Sequence, residues 1–277
     1  MGLFDIFRKD VVYFPGCLTY FRNKEGFDLY RKIFSKLGIG FKVLDKHICS
    51  GLEPWEAGYE NEARKLARKN FDIFNKEGIH NIITNSPGCY KMFLQNYPEM
   101  LPDWDVNVIN SWELILEKLK KNHYLIKNKA MEVVTYHDSC YLGRYCGIYD
   151  SPREILELIG YEIKEMDNTK ENSFCCGSCG GLPIANRELA NRIAKERILQ
   201  AKRIGVSKMI VVGFENSSLL KRNVGDSRIQ VFELSEVLGN ALDIKKIEAF
   251  EEEIEGEERI LIETKTNMRL QEELKEE

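Results

Sequence analysis

Apolar residues recur along this chain in two registers. Short β-prone runs stop at polar or glycine-rich turns, and longer stretches mix apolar and charged positions at helical spacing. Val11-Val12-Tyr13-Phe14 is the first such run and leads through Pro15-Gly16 to Cys17. A helix is expected from Phe27 to Leu37, and a second strand from Gly38 to Asp45. Glu60–Glu77 is amphipathic and predicts a long helix, followed by a strand over His80–Thr84 and the turn Asn85-Ser86-Pro87-Gly88-Cys89. The same order then returns. Val133-Val134-Thr135-Tyr136 runs through His137-Asp138-Ser139 to Cys140. A helix over Pro152 to Ile159, a strand over Gly160 to Asp167, Cys175-Cys176-Gly177 and a helix over Asn186–Ile204 follow. The last strand, Lys208–Val212, ends in Gly213-Phe214-Glu215-Asn216-Ser217.

Strand, helix, strand, helix, strand, given twice, implies an α/β fold with parallel sheets and helices outside. The expected organisation is two pseudo-repeated halves, 11–125 and 131–240, and a charged helical tail, 241–277. Parallel sheets of this kind bind ligands beyond the carboxyl ends of their strands. Cys17, Cys49 and Cys89 can therefore meet in space, as can Cys140, Cys175 and Cys176. Ordinary burial is the alternative, since free cysteine is a common core residue. Repetition at equivalent places, beside glycines, argues against it.

The stretch Glu171-Asn172-Ser173-Phe174-Cys175-Cys176-Gly177-Ser178-Cys179-Gly180-Gly181 sharpens the point. Adjacent cysteines make a strained disulfide, and glycine weakens both helix and strand. A loop that wraps closely around a sulfur-binding group has a use for both. A chain of 277 residues with 43% hydrophobic side chains builds its core without disulfide staples, so its eight cysteines point to metal binding or redox work. Nothing marks export, and a cytoplasmic location is expected. No apolar run reaches the ~20 residues of a membrane span. Leu3, Phe4, Ile6 and Phe7 of the opening MGLFDIFRKD suit packing on the body better than membrane contact. The net charge of −4 comes from the acidic tail, which reads as a solvated appendage or a docking segment, and no strongly basic face for nucleic acid is present.

Three motifs carry a family resemblance. They are Tyr136-His137-Asp138-Ser139-Cys140-Tyr141-Leu142-Gly143-Arg144, Tyr149-Asp150-Ser151-Pro152-Arg153-Glu154 and Glu171 through Gly177. Together they closely resemble the cysteine-rich "CCG" domain of the B and D subunits of heterodisulfide reductase, and of the iron–sulfur subunits of glycolate oxidase and anaerobic glycerol-3-phosphate dehydrogenase. The family pattern is a cysteine, then Cys-Cys-Gly, then Cys-x-x-Cys, usually given twice. The resemblance covers about residues 11–240 and is stronger in the second half. It implies an iron–sulfur cofactor, since thiolates are soft donors that stabilise iron–sulfur cores.

This chain departs from the pattern. In the first half Cys17, Cys49 and Cys89 match, while Ser50 and Ser86 replace two cysteines. In the second half Cys140, Cys175 and Cys176 match, Phe214 and Ser217 replace the closing pair, and Cys146 and Cys179 are extra. A five-cysteine non-cubane cluster is thus not expected. The resemblance implies one or two four-iron clusters, with Cys179 or Cys146 as the fourth ligand in the second half and an open iron in the first. Zinc on four thiolates is the rival in the second half, and a first half that only scaffolds is a further alternative. His137, Asp138 and Arg144 are candidates for proton relay or anion binding, each with a structural alternative. His47 has the same choice, with structure favoured. The basic residues of 61–76 and 187–203 are read as solvated helix faces.

The function implied is an iron–sulfur oxidoreductase subunit of heterodisulfide-reductase type. It would act on a small disulfide or anionic substrate, or relay electrons. The chain has neither a ferredoxin cysteine run nor a dinucleotide fingerprint, so electrons would come from an iron–sulfur or flavoprotein partner. A metal-stabilised binding scaffold, and a non-redox enzyme with iron as Lewis acid, are the readings from other classes.

Overall fold

A computed structural model describes residues 10–45 and 47–244. The expected acidic tail beyond Ile244 and the opening Met1–Lys9 lie outside the described residues. The first half contains β1 (Val11–Tyr13), α1 (Cys17–Arg22), α2 (Lys24–Lys36), α3 (Leu52–Glu56), α4 (Glu60–Glu77), β2 (Asn81–Thr84), α5 (Pro87–Lys91), α6 (Tyr97–Met100), β3 (Asn107–Asn110) and α7 (Ser111–Lys121). The second contains β4 (Glu132–His137), α8 (Asp150–Leu158), β5 (Tyr161–Ile163), α9 (Leu182–Ala185), α10 (Arg187–Arg203), β6 (Lys208–Val211), α11 (Phe214–Arg222), β7 (Gln230–Glu233) and α12 (Leu234–Ala241). Among the described residues no helix is long and apolar enough to cross a membrane.

Both sheets are wholly parallel, as the repeated strand–helix order implies. Their strand orders are β1-β2-β3 and β5-β4-β6-β7. Three strands differ from the expectation. Gly38 to Asp45 reduces to a single parallel bridge between Val12 and Lys42, so this segment is largely irregular. Beside β2 and β6, at the opposite edges, the sheets gain β3 and β7, which the hydrophobic pattern does not predict.

Alternation along the strands sorts side chains into three cores. Val11, Tyr13 and Ile83 of the first sheet and Val134, Tyr136 and Ile210 of the second face one shared core, filled by α2, α7, α8 and α12. Val12 and Ile82 face the opposite way, towards Ala63, Ala67, Phe71 and Phe74 of α4. Met209 and Val211 face Ala190, Ala194 and Ile198 of α10. The halves are thus fused through their inner helices. The buried Tyr30 of α2 donates to Glu233 Oε1 at 2.8 Å, at the end of β7. Fusion on this side leaves the carboxyl ends of both sheets to meet each other.

Candidate thiol centres

The first centre forms where three loops leave the first sheet. Cys17 opens α1, Cys49 precedes the turn into α3, and Cys89 lies in α5 directly after β2. Cys17 Sγ and Cys49 Sγ are 3.9 Å apart. Ser50 Oγ lies 3.3 Å from Cys89 Sγ, and the Cys89 amide donates to Ser86 Oγ at 3.4 Å. The two serines therefore share the pocket of the three thiols. Gly16 holds φ +81°, and a Cβ there would stand 3.3 Å from Cys89 Sγ, so a side chain would be both strained and crowded. The Gly51 amide donates to Cys49 Sγ at 3.4 Å, and Asn70 Nδ2 donates to the Cys49 carbonyl at 2.9 Å.

Neighbours split the acidities of these thiols. Donation to Cys49, then burial, raises the Cys17 pKa, and acceptance of that bond lowers that of Cys49. Burial pushes Cys89 up to about 12, against the hydrogen bonds from Ser50 and Ser86. Two carboxylates border the site. Glu53 acts on Cys17 and Cys49, and Glu215, from the second half, acts on Cys89. Neither carboxylate is singled out by sequence reasoning.

The second centre gathers four thiols. Cys140 is within hydrogen-bonding reach of Cys175 and Cys179, and Cys175 of Cys176. The Gly177 amide donates to Cys175 Sγ at 3.3 Å. Contact with Cys140, then Cys176, lowers the Cys175 pKa, and the same contacts raise those of its two partners. Gly177 has φ +81°, and a Cβ would meet the Ala190 carbonyl of α10 at 2.9 Å, so the loop lies flat on that helix. Asn216 closes the site: its Oδ1 lies 3.2 Å from Cys176 Sγ and 3.9 Å from Cys179 Sγ. Phe214 and Ser217, the aligned positions, take no such part, and Ser217 Oγ turns back to the Phe214 carbonyl at 3.0 Å. Sequence reasoning misses Asn216 because it falls on an open position of the Cys-x-x-Cys pattern, between Phe214 and Ser217.

Cys146 and Cys179 are equal candidates by sequence, and the fold separates them. Cys179 joins the thiols, whereas Cys146 ends the π-helical turn Tyr141–Tyr145 and feels the charge of Lys91. All eight cysteines are free.

The candidate polar residues mostly brace the loops. Asp138 is buried and accepts from both terminal nitrogens of Arg153, at 2.7 and 2.9 Å, and from the Lys170 amide at 2.8 Å. Burial raises its pKa, but these bonds outweigh it and hold the carboxyl below its ordinary value. Arg144 is exposed and donates to the Ser173 carbonyl at 2.5 Å. His47 stacks on Tyr20, with ring centroids 4.9 Å apart, and packs against Phe14. The reading of 187–203 as a solvated basic face fails at Arg197, which is fully buried and donates from Nε to His137 Nδ1 at 3.0 Å.

Burial, followed by the charge of Arg197, keeps His137 neutral and lowers its pKa to about 3; burial lowers that of His47 to about 4. Both folded values lie below the ordinary 6.5, so the unfolded chain takes up protons first. The stabilisation is complete above that value and is lost as pH falls, down to about 4 for His47 and about 3 for His137, at about 1.4 kcal/mol per pH unit for each group within its window. Urea titrations at stepped pH should show this slope in the native chain and a shallower one in His137→Asn. An equal slope in the variant would refute the assignment.

The two centres are neighbours. Tyr141, beside Cys140, donates to Glu56 of α3, and its ring lies 3.5 Å from where a Cβ of Gly88 would stand. A Cβ on Gly213 would meet Pro87 of α5 at 3.1 Å. Thiolates and backbone amides are the donor chemistry of iron–sulfur sites. Among the described residues no three His, Cys, Asp or Glu side chains close on one ion position. The sulfurs are instead set as a chain of neighbours, which fits a cluster that takes one thiolate at each of several irons.

Comparison with known proteins agrees with this chemistry. The chain is 36% identical over 180 residues to a protein named probable iron-sulfur-binding oxidoreductase FadF from Bacillus subtilis, covering 64% of this chain and 25% of that one. It is 30% identical over 200 residues to a subunit of the dihydromethanophenazine:CoB--CoM heterodisulfide reductase from Methanosarcina mazei, covering 70% and 49%. To the EtfAB:quinone oxidoreductase of Syntrophomonas wolfei it is 29% identical over 249 residues, covering 83% and 34%. The chain thus spans half or less of the length of these relatives. The cysteine-rich domain named CCG matches twice, over residues 11–94 and 134–213, each match taking in one thiol centre. The protein belongs to the CCG cysteine-rich domain family.

Proposed function

We propose that this chain is an iron–sulfur redox subunit that takes electrons from a partner protein. The observation that carries the reading is the gathering of four free thiols, Cys140, Cys175, Cys176 and Cys179, in one loop system. These four hold a four-iron cluster. Cys17, Cys49 and Cys89 hold a second one, with one iron left without a protein thiolate because Ser50 and Ser86 replace the family's cysteines. A cluster bound at either place supplies one-electron transfer. This chain's own part is to hold the thiolates, with the Gly51 and Gly177 amides turned to sulfur to moderate its charge. The names of the relatives support an oxidoreductase, and that of the methanogen protein supports a disulfide as the final acceptor. Reduction of a disulfide to two thiols takes two electrons, from the iron–sulfur or flavoprotein partner, and two protons from solvent.

Anaerobic purification followed by iron, sulfide and zinc analysis tests the reading. Equal iron and sulfide with a brown chromophore are expected, and a colourless protein with stoichiometric zinc would replace redox by a scaffold role. Addition of a small thiol should perturb a single iron of the first-half cluster in Mössbauer spectra. A spectrum unchanged by the thiol would remove the open iron from the proposal.

A further inference from the structure

Arg197 is 0% exposed, a rare place for a guanidinium. Its hydrogen bonds all go to neutral acceptors. Besides His137 Nδ1, they are the Asn168 carbonyl at 2.9 Å, Gln200 Oε1 at 2.7 Å and Ser173 Oγ at 3.3 Å. Asp138 and Glu165 lie within its field, but Arg153 takes both in direct hydrogen bonds. Burial lowers the Arg197 pKa to about 10, so the group is still a cation at neutral pH. A buried cation without a direct ion-pair partner is costly, and the cost is met when an anion binds nearby.

The thiols supply that anion. Ser173, which receives one arm of the fork, precedes Cys175 by two residues, and Gly177 rests on Ala190 of the same helix, α10. The thiolate of Cys176, the form that binds a cluster, would act on Arg197. The guanidinium is therefore placed beneath the Cys175-Cys176 loop. It also holds His137 at the exit of β4, three residues before Cys140.

We propose that Arg197 is the internal counter-cation of the second-half cluster and sets its reduction potential. This rests on the reading above, that the second half binds an iron–sulfur cluster. Each electron accepted adds negative charge at the site. A fixed cation in a low-dielectric interior favours the reduced form and raises the potential. A residue that only shaped the loop would change how much cluster is bound, not the potential at which it is reduced.

The test compares the native chain with Arg197→Gln and Arg197→Lys, each loaded anaerobically and titrated under electron paramagnetic resonance. Iron and sulfide are measured alongside, and the first-half cluster serves as internal reference. The Gln variant should be reduced at a more negative potential in the second-half signal alone, and the Lys variant should return towards the native value. A loaded Gln variant at the native potential would overturn the proposal and leave Arg197 balanced by Asp138 and Glu165. Should the Gln variant fail to fold or load, Arg197→Met, which keeps an unbranched side chain without the charge, decides. A loaded Met variant reduced at a more negative potential upholds the counter-cation, and one at the native potential, or a folded Met variant without the cluster, overturns it in favour of loop shape. Iron and sulfide missing from the native protein itself would overturn the cluster reading, and this proposal with it.

Discussion

Cys175→Ser and Cys176→Ser are each expected to remove most of the iron held by the second half, about half of the total if both centres load equally, because a hard oxygen replaces a soft thiolate. The contacts make the loss severe. Cys175 lies between Cys140 and Cys176, and Cys176 is buried against Asn216 Oδ1 at 3.2 Å. Cys146→Ser should leave the iron content unchanged, since that thiol sits by Lys91 and outside the group. Iron and sulfide per chain, measured with the electron paramagnetic resonance of the reduced protein, separate the outcomes. Full iron in both Cys175 and Cys176 variants would dismiss the second-half ligand set. A loss in Cys146→Ser would return that residue to it.

Arg153→Met should cost about 3–5 kcal/mol at neutral pH, the range for removing one partner of a buried ion pair. The Arg153 and Asp138 side chains are only 9% and 3% exposed. Without the guanidinium, Asp138 keeps the Thr169 hydroxyl and the Lys170 amide but no cation in contact. The pH dependence separates this from lost packing. Asp138 has a depressed pKa in the folded chain, so the native pair contributes its stability above the ordinary value of 3.8 and loses it as pH falls further. The gap between native and variant should therefore narrow in acid below 3.8, under the value of His47 and across the lower end of the window in which His137 acts. Urea denaturation from pH 7 to pH 2 measures both, and a gap constant down to the end of that range would assign the cost to packing. Because Asp138 stands two residues before Cys140, iron binding should weaken in the same variant.

Much of the fold was legible because periodicity is a local property. The helix expected over Glu60–Glu77 is observed with those bounds, and the one expected over 186–204 runs Arg187–Arg203. The repeated strand–helix order carried the parallel sheets, and with them the place where Cys17, Cys49 and Cys89 meet. Residues 38–45 misled because their β-prone composition does not show whether a partner strand lies alongside. Only Val12 of β1 bridges to Lys42, while β3 extends the sheet at the other edge, beside β2.

The centres themselves divide in the same way. Which residue types bind soft metal is written in the cysteines and glycines, and so is the family. Which of Cys146 and Cys179 joins Cys140 was not, because both are a few residues from a matched motif and only the loop path distinguishes them. Asn216 and Glu215 reach the thiols from α11, far away in sequence, and Arg197 reads as one more basic residue of an amphipathic helix. Its burial depends on α10 lying against β6 and under the Cys175-Cys176 loop. Sequence thus determined the local elements and the chemistry on offer, since both follow from neighbours along the chain. Tertiary packing decided which thiols share a centre and which charge lies beneath them, because distance and desolvation are set by residues that the chain brings together only when folded.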